Sequence, residues 1–166
     1  MGAGKLFCIL GGIITLVSMY LFSFGSIEVA PGVFVYASQI GFFMNLGLIF
    51  QAGSVWWTIL AIVFIIFSAS GILIILGIKS RVPAIVGAIF VLAVGGYILS
   101  VIFLNYSAEI ESFYLAAFAD GLVPGFIPLD IPLHVTAGTN VSLGLYLLLG
   151  GGVLGLIGGI MGPDEY

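Results

Sequence analysis

Charge is what this chain has least of. Only three of its 166 residues are Lys or Arg and seven are Asp or Glu, so charged residues make up 6% of the total. A soluble domain carries about 25% charged residues, so there is too little charge here to coat a surface facing water. Phosphate neutralisation needs clustered Lys and Arg, and the formal net charge of −4 therefore argues against a nucleic-acid partner. Cysteine occurs once, at Cys8, which rules out an internal disulfide or a Cys-rich metal site. Redox chemistry that relies on Cys pairs is excluded with it. Histidine also occurs once, at His134.

What is present is apolar. Hydrophobic residues make up 62% of the sequence, and they fall into long uncharged runs. Leu6–Phe24 is long enough as a helix to cross one hydrocarbon layer of about 30 Å. It exceeds the apolar core of a cleaved signal peptide and is expected to be retained. Two further N-terminal signals fail. Leu6 stands where a myristoylation signal requires Ser or Thr, and Gly2-Ala3-Gly4-Lys5 lacks most of a phosphate-binding loop.

Val55–Ile78 opens on Trp56-Trp57, as expected at an interfacial aromatic belt. Val82–Leu104 follows after a very short connection, Lys79-Ser80-Arg81, in which Ser80 is placed to cap the next helix and Pro83 falls in its first turn. Val141–Met161 is the last run. The expected fold is an all-α membrane protein: a single integral membrane domain over 1–166 built as a four-transmembrane-helix bundle, with short helix and strand-like elements in two outer loops. The spans are 6–24, 55–78, 82–104 and 141–161. The turn at 79–81 lies on the cytoplasmic side, and the outer loops cover 25–54 and 105–140.

The first outer loop opens with turn chemistry at Gly25-Ser26 and Pro31-Gly32. Val33–Phe50 is apolar, but Gln39, Asn45 and its glycines make it a poor span. A fifth span would also separate Lys5 from Lys79 and Arg81. A strand-like piece over Ile27–Tyr36 and a helix over Gln39–Phe50, interfacial or dipping into the bundle, are expected instead. In the second loop, Ser107–Ala119 has helical spacing, ended by Asp120-Gly121. Pro124, Pro128 and Pro132 then interrupt an alternating stretch, which predicts an extended segment laid over the bundle rather than a central strand. The short–long–short order of connections is also that of two helical hairpins, and internal duplication is an open reading.

Lys5, Lys79 and Arg81 are the topology-determining residues. Four spans put all three on one side with both termini, and the positive-inside rule makes that side the cytoplasm of a cell membrane. No Asp, Glu, Lys, Arg or His lies within any span. Proton relays, ion-coupled carriers and voltage sensors place such groups at membrane depth, so those mechanisms are not expected within this chain.

The remaining candidates are small. Gly151, Gly155 and Gly159 recur at i, i+4, i+8 and are expected to mediate helix packing, either within the bundle or against a second copy. Thr15, Ser18, Ser68 and Ser70 either bond back to helix carbonyls or line a passive path. His134 with Asp130, or with Glu109 and Glu111, is a poor metal set, since zinc takes three or four converging ligands. Glu109 and Glu111 are two apart on a helix and point in different directions, which does not make a catalytic pair. Cys8 is placed for S-acylation or for packing as a small hydrophobe. Asn105-Tyr106-Ser107 and Asn140-Val141-Ser142 match the glycosylation pattern but abut spans. No cofactor motif and no catalytic constellation emerges, so enzymatic activity is not expected. The lipid bilayer, further copies of the chain and other membrane proteins are the expected partners. The function that follows is a structural or accessory multi-pass membrane protein, with a channel or facilitator for a small or neutral solute as the alternative.

Overall fold

The computed structural model describes residues 2–104, 112–113, 116–117, 129–136 and 139–162. Four of its helices are long and apolar enough to cross a membrane. The first, α1, runs over Ala3–Leu21 and stops where Phe22 turns to extended backbone, its N–H still bonded to Ser18 O. Two strands follow, β1 over Gly25–Ala30 and β2 over Val33–Ala37. Pro31-Gly32 makes the tight turn between them. Pro fixes φ at the first turn position and Gly32 takes the positive φ (78°) required at the second. The Glu28 carboxylate closes the turn by accepting from the Gly32 N–H at 2.8 Å.

Ser38 then caps α2, Gln39–Gln51, by accepting from Gly41 N–H. Gly53, at a φ of 67°, turns the chain back, and Ser54 caps α3, Val55–Ser68. After Ala69 comes α4, Ser70–Leu76, and then α5, Arg81–Leu104. The second outer segment contributes β3 over Pro132–Thr136 and β4 over Thr139–Ser142. The last helix, α6, covers Leu143–Met161 and ends at Gly162, whose φ is 75°.

Helices α1, α4, α5 and α6 pack in a ring, each touching the next, with α6 closing against α1. The four strands form one antiparallel sheet of order β2-β1-β4-β3. In its centre Gly25 pairs with Ala37 on one side and Val141 on the other. The sheet thereby joins the chain leaving α1 to the chain entering α6. Around Pro132, which has no N–H to donate, the β3–β4 register shifts.

The opposite end is fixed by contact as well. A methyl placed on Gly4 would overlap the Gly162 carbonyl, and one on Gly162 would overlap the Arg81 guanidinium. Lys5, Lys79 and Arg81 therefore sit at one end of the bundle and the sheet at the other.

The elements depart from expectation at their ends. The span expected over Leu6–Phe24 stops at Leu21, because Phe22 pairs with Leu129 and Phe24 N–H bonds Ala37 O. The span expected from Val141 begins at Leu143, since Val141 and Ser142 belong to β4. The single strand-like piece over Ile27–Tyr36 is a complete hairpin. The continuous helix over Val55–Ile78 is broken at Ala69, whose N–H tightens to Ile66 O at 3.1 Å. One residue earlier the Ser68 hydroxyl bonds back to Phe64 O at 2.9 Å, a pattern that bends helices. Val33–Phe50 is β2 plus α2, and α2, at 13 residues, is shorter than a span. Of the helix expected over Ser107–Ala119, residues 112–113 and 116–117 are described and helical, with Phe113 and Ala117 buried. The rest of it, including Glu109 and Glu111, lies outside the described residues, as do Asn105, Asp120, Pro124 and Pro128.

Beyond the ring, α2 and α3 run antiparallel around an aromatic core. Phe64 is its hub, with ring centroids 5.3 Å from Phe42, 6.0 Å from Phe67 and 6.3 Å from Phe113. Phe24 reaches Phe67 at 6.4 Å and Trp57 reaches Phe113 at 5.7 Å, both edge-on. Edge-to-face pairing at these distances is the favoured geometry for aromatic rings.

Candidate functional site

Three clusters of polar or close-packed groups stand out from the apolar background. The first is the seam between α1 and α6. Lipid tails are as apolar as Leu, so helices in a bilayer associate through close packing and hydrogen bonds rather than by escaping water. The seam uses both. A methyl on Gly11 would lie 2.6 Å from Gly155 N, and one on Gly158 would lie 2.7 Å from Cys8 N. Thr15 Oγ1 donates to Gly11 O at 2.8 Å, within the helix, and Ser18 Oγ donates to Gly144 O at 2.5 Å, across the seam.

Gly151, Gly155 and Gly159 are all buried within the chain, but they meet different neighbours. The Gly151 site faces Thr15 and Gly11 of α1, Gly155 also admits Ile74 of α4, and Gly159 admits Ile85 and Ala84 of α5. Their neighbour Gly152 lies against Val91 and Leu92 of α5. Between them the glycines let α6 approach three helices at once, a wider contact than one stripe at i, i+4, i+8 presents.

The second cluster sits where the sheet meets the bundle. Asp130 Oδ1 accepts from the hydroxyls of both Ser23 and Ser142. Ser23 follows α1 and Ser142 precedes α6, so one carboxylate ties the second outer segment to both helix ends. Backbone bonds flank it: Leu129 N–H to Leu21 O at 2.8 Å, Ser23 N–H to Leu129 O at 3.0 Å and Leu143 N–H to Ile131 O at 2.8 Å. Hydrogen bonds to an ionised acceptor are about twice as strong as neutral ones. Asn140 Nδ2 adds a link from β4 to Ser26 Oγ of β1 at 3.2 Å.

The third cluster lies at the bend. Gln39 is fully buried, and its Nε2 donates to Ser68 Oγ at 2.7 Å, while Tyr20 OH donates to Ser68 O at 3.4 Å. Gln39 Oε1 and the buried Ser70 Oγ have no partner among the described residues.

No protein-family model, curated protein or solved structure matches this chain.

The contacts of the three clusters join elements of this chain to one another. Among the described residues no three His, Cys, Asp or Glu side chains converge as a metal ion requires. Asp130 is engaged with Ser23 and Ser142, and His134 lies exposed on β3 across from Val141. Cys8 is fully buried against Gly158 and Gly77, which closes it to acylation in this conformation. Asn140 sits in a strand with its amide bonded to Ser26. Lys79 and Arg81 are exposed, and the Arg81 guanidinium lies over the C-terminal end of α6 at Gly162. A cation there complements the partial negative charge of a helix C-terminus.

Of the residues singled out from the sequence, Gly151, Gly155 and Gly159 lie buried between helices, and Lys5, Lys79 and Arg81 lie at one end of the bundle. Sequence reasoning missed the Asp130 clamp, because Ser23, Asp130 and Ser142 are far apart in sequence and each is unremarkable alone. It also missed the Gln39–Ser68 bond. The available signal was an amide in an otherwise uncharged apolar stretch, which requires a partner if buried.

Proposed function

We propose that this chain is a structural or accessory multi-pass membrane protein, one that associates with copies of itself or with other membrane proteins. The observation that carries the proposal is the way its faces are divided. Small and polar groups inside the bundle are consumed by intrachain contacts, as at Gly11–Gly155 and Ser18–Gly144. The sheet end is a folded platform clamped to the helices by Asp130, and it exposes apolar Leu129, Ile131 and Leu133. Exposed apolar residues grouped on a folded surface suit a binding site.

Orientation belongs to the same proposal. Lys5, Lys79 and Arg81 share one end, and the positive-inside rule makes that end cytoplasmic, with both termini there and the sheet outside the cell membrane. Cross-linking and native mass spectrometry in mild detergent test the association. A discrete oligomer or a stoichiometric membrane partner is expected. A strict monomer with no partner, combined with solute flux in liposomes above background, would replace this reading with that of a facilitator.

A further inference from the structure

The hairpin of α2 and α3 has an exposed surface that the four-span description leaves unexplained. α2 carries no charged residue, yet it is exposed at Phe43, Met44, Leu48 and Phe50, with Met44 at 74% and Leu48 at 61%. The adjacent turns of α3 expose Trp56 and Ile59. Apart from Gln51 at the turn and the Oε1 atom of Gln39, the polar side chains of the same hairpin are engaged within the chain. Gln39 donates to Ser68, Ser68 donates to Phe64 O, Ser54 Oγ accepts from Trp57 N–H and Thr58 Oγ1 donates to Ser54 O. Asn45 is partnered too. Even the entry to α2 is satisfied, with Ala37 O accepting from Phe24 N–H and Ser38 Oγ capping Gly41 N–H. Water makes no such demand on a surface helix, whereas hydrocarbon does.

Depth can be measured from the basic end. The Gln39–Ser68 bond and the Phe42–Phe64 ring pair place the start of α2 beside the middle of the Val55–Leu76 span. Ser68 is roughly 17 Å of helix from Lys79, against a hydrocarbon thickness of about 30 Å. From there α2 runs back toward the sheet side for about 20 Å, which brings Gln51 and the Gly53-Ser54 turn to headgroup level.

We propose that α2 is a re-entrant half-span: it occupies the leaflet on the sheet side, and lipid acyl chains cover its Phe43, Met44, Leu48 and Phe50 face. The four candidate spans likewise expose large apolar side chains, among them Leu10, Ile62, Ile89 and Ile160. The assignment does not depend on which compartment the basic end faces, nor on whether the protein has a partner.

The test uses the full chain with Cys8→Ala, reconstituted at high lipid-to-protein ratio in phosphatidylcholine vesicles. A nitrobenzoxadiazole label goes on Met44→Cys or Leu48→Cys, with Gly47→Cys as the alternative where either variant fails to fold. Gly47 has open space around it, so a side chain there meets no obstacle. Ile13→Cys on α1 serves as the lipid-facing reference and Glu28→Cys as the aqueous one. Doxyl groups on the acyl chains are expected to quench the α2 labels at least twofold, as at Ile13→Cys, while iodide leaves them bright. Iodide quenching like that at Glu28→Cys, without doxyl quenching, would overturn the proposal in favour of a water-facing helix. Labels shielded from both quenchers would overturn it in favour of a second copy seated on α2.

Discussion

Gly11 and Gly155 meet across the α1–α6 seam so closely that a single methyl on Gly11 would fall 2.6 Å from the Gly155 nitrogen. Backbone cannot yield to that contact as a flexible side chain can. Gly11→Ala is therefore expected to destabilise the bundle by about 1–3 kcal/mol, the usual range for overpacking. Gly150→Ala is the matched control, since nothing lies within 4 Å of that position. Unfolding in mixed micelles, followed by circular dichroism, separates the two.

The hydroxyl of Ser18 crosses the same seam to Gly144 O, with both residues buried. Interhelical hydrogen bonds in membranes average about 0.6 kcal/mol, with an upper value near 1.7. Ser18→Ala is expected to fall within that range. A loss well beyond it would mean that the hydroxyl supports more than one contact.

Asp130→Asn tests the clamp at the sheet end. The amide keeps the shape but loses the charge that strengthens the bonds from Ser23 and Ser142. Hydrogen exchange at the amides of Ser23, Leu129, Ser142 and Leu143 is expected to speed up roughly tenfold, an effect of about 1.4 kcal/mol on local opening. Amides in the middle of α6 are expected to be unaffected.

Much of this architecture is legible in the sequence for a physical reason. A membrane span has to satisfy its own backbone and cover itself in apolar side chains, so four long uncharged runs predict four helices almost directly. The connection at Lys79-Ser80-Arg81 is equally readable, being too short for anything but a turn. Contacts between distant segments are not readable in that way. Whether Val141-Ser142 begins a span or ends a strand depends on β1, more than a hundred residues earlier. The break at Ala69 likewise follows from Ser68 bonding back to Phe64 and meeting Tyr20, neither of which has a periodic signature. The glycines of α6 were visible as a stripe, but their division among α1, α4 and α5 is decided by how those helices are arranged around them.

The Gln39–Ser68 pair yields a contrasting prediction. Removing one partner leaves a buried polar group unpaired, whereas replacing both with apolar groups can be nearly neutral. Ser68→Ala alone is expected to cost about 1–3 kcal/mol. The double variant Gln39→Leu with Ser68→Ala is expected to recover most of that loss in the same unfolding measurement.

Reversing the charge of the basic turn, with Lys79→Glu and Arg81→Glu together, removes two of the chain's three basic residues, on which the proposed orientation rests. Protease protection in membrane vesicles is expected to show mixed topology for this variant and a single topology for the parent. Arg81→Glu alone also places an anion over the C-terminal end of α6 at Gly162. A helix C-terminus disfavours negative charge, so a modest loss of stability is expected even where topology holds.

The most direct test is side-specific labelling of single cysteines in sealed vesicles of known orientation, in a Cys8→Ala background. Lys79→Cys reports the basic end and Glu28→Cys the sheet end; both positions are exposed. Opposite sidedness is predicted: an impermeant maleimide applied outside right-side-out vesicles reacts at Glu28→Cys and reaches Lys79→Cys only after permeabilisation. Labelling of both positions from the same side would contradict the four-span arrangement itself.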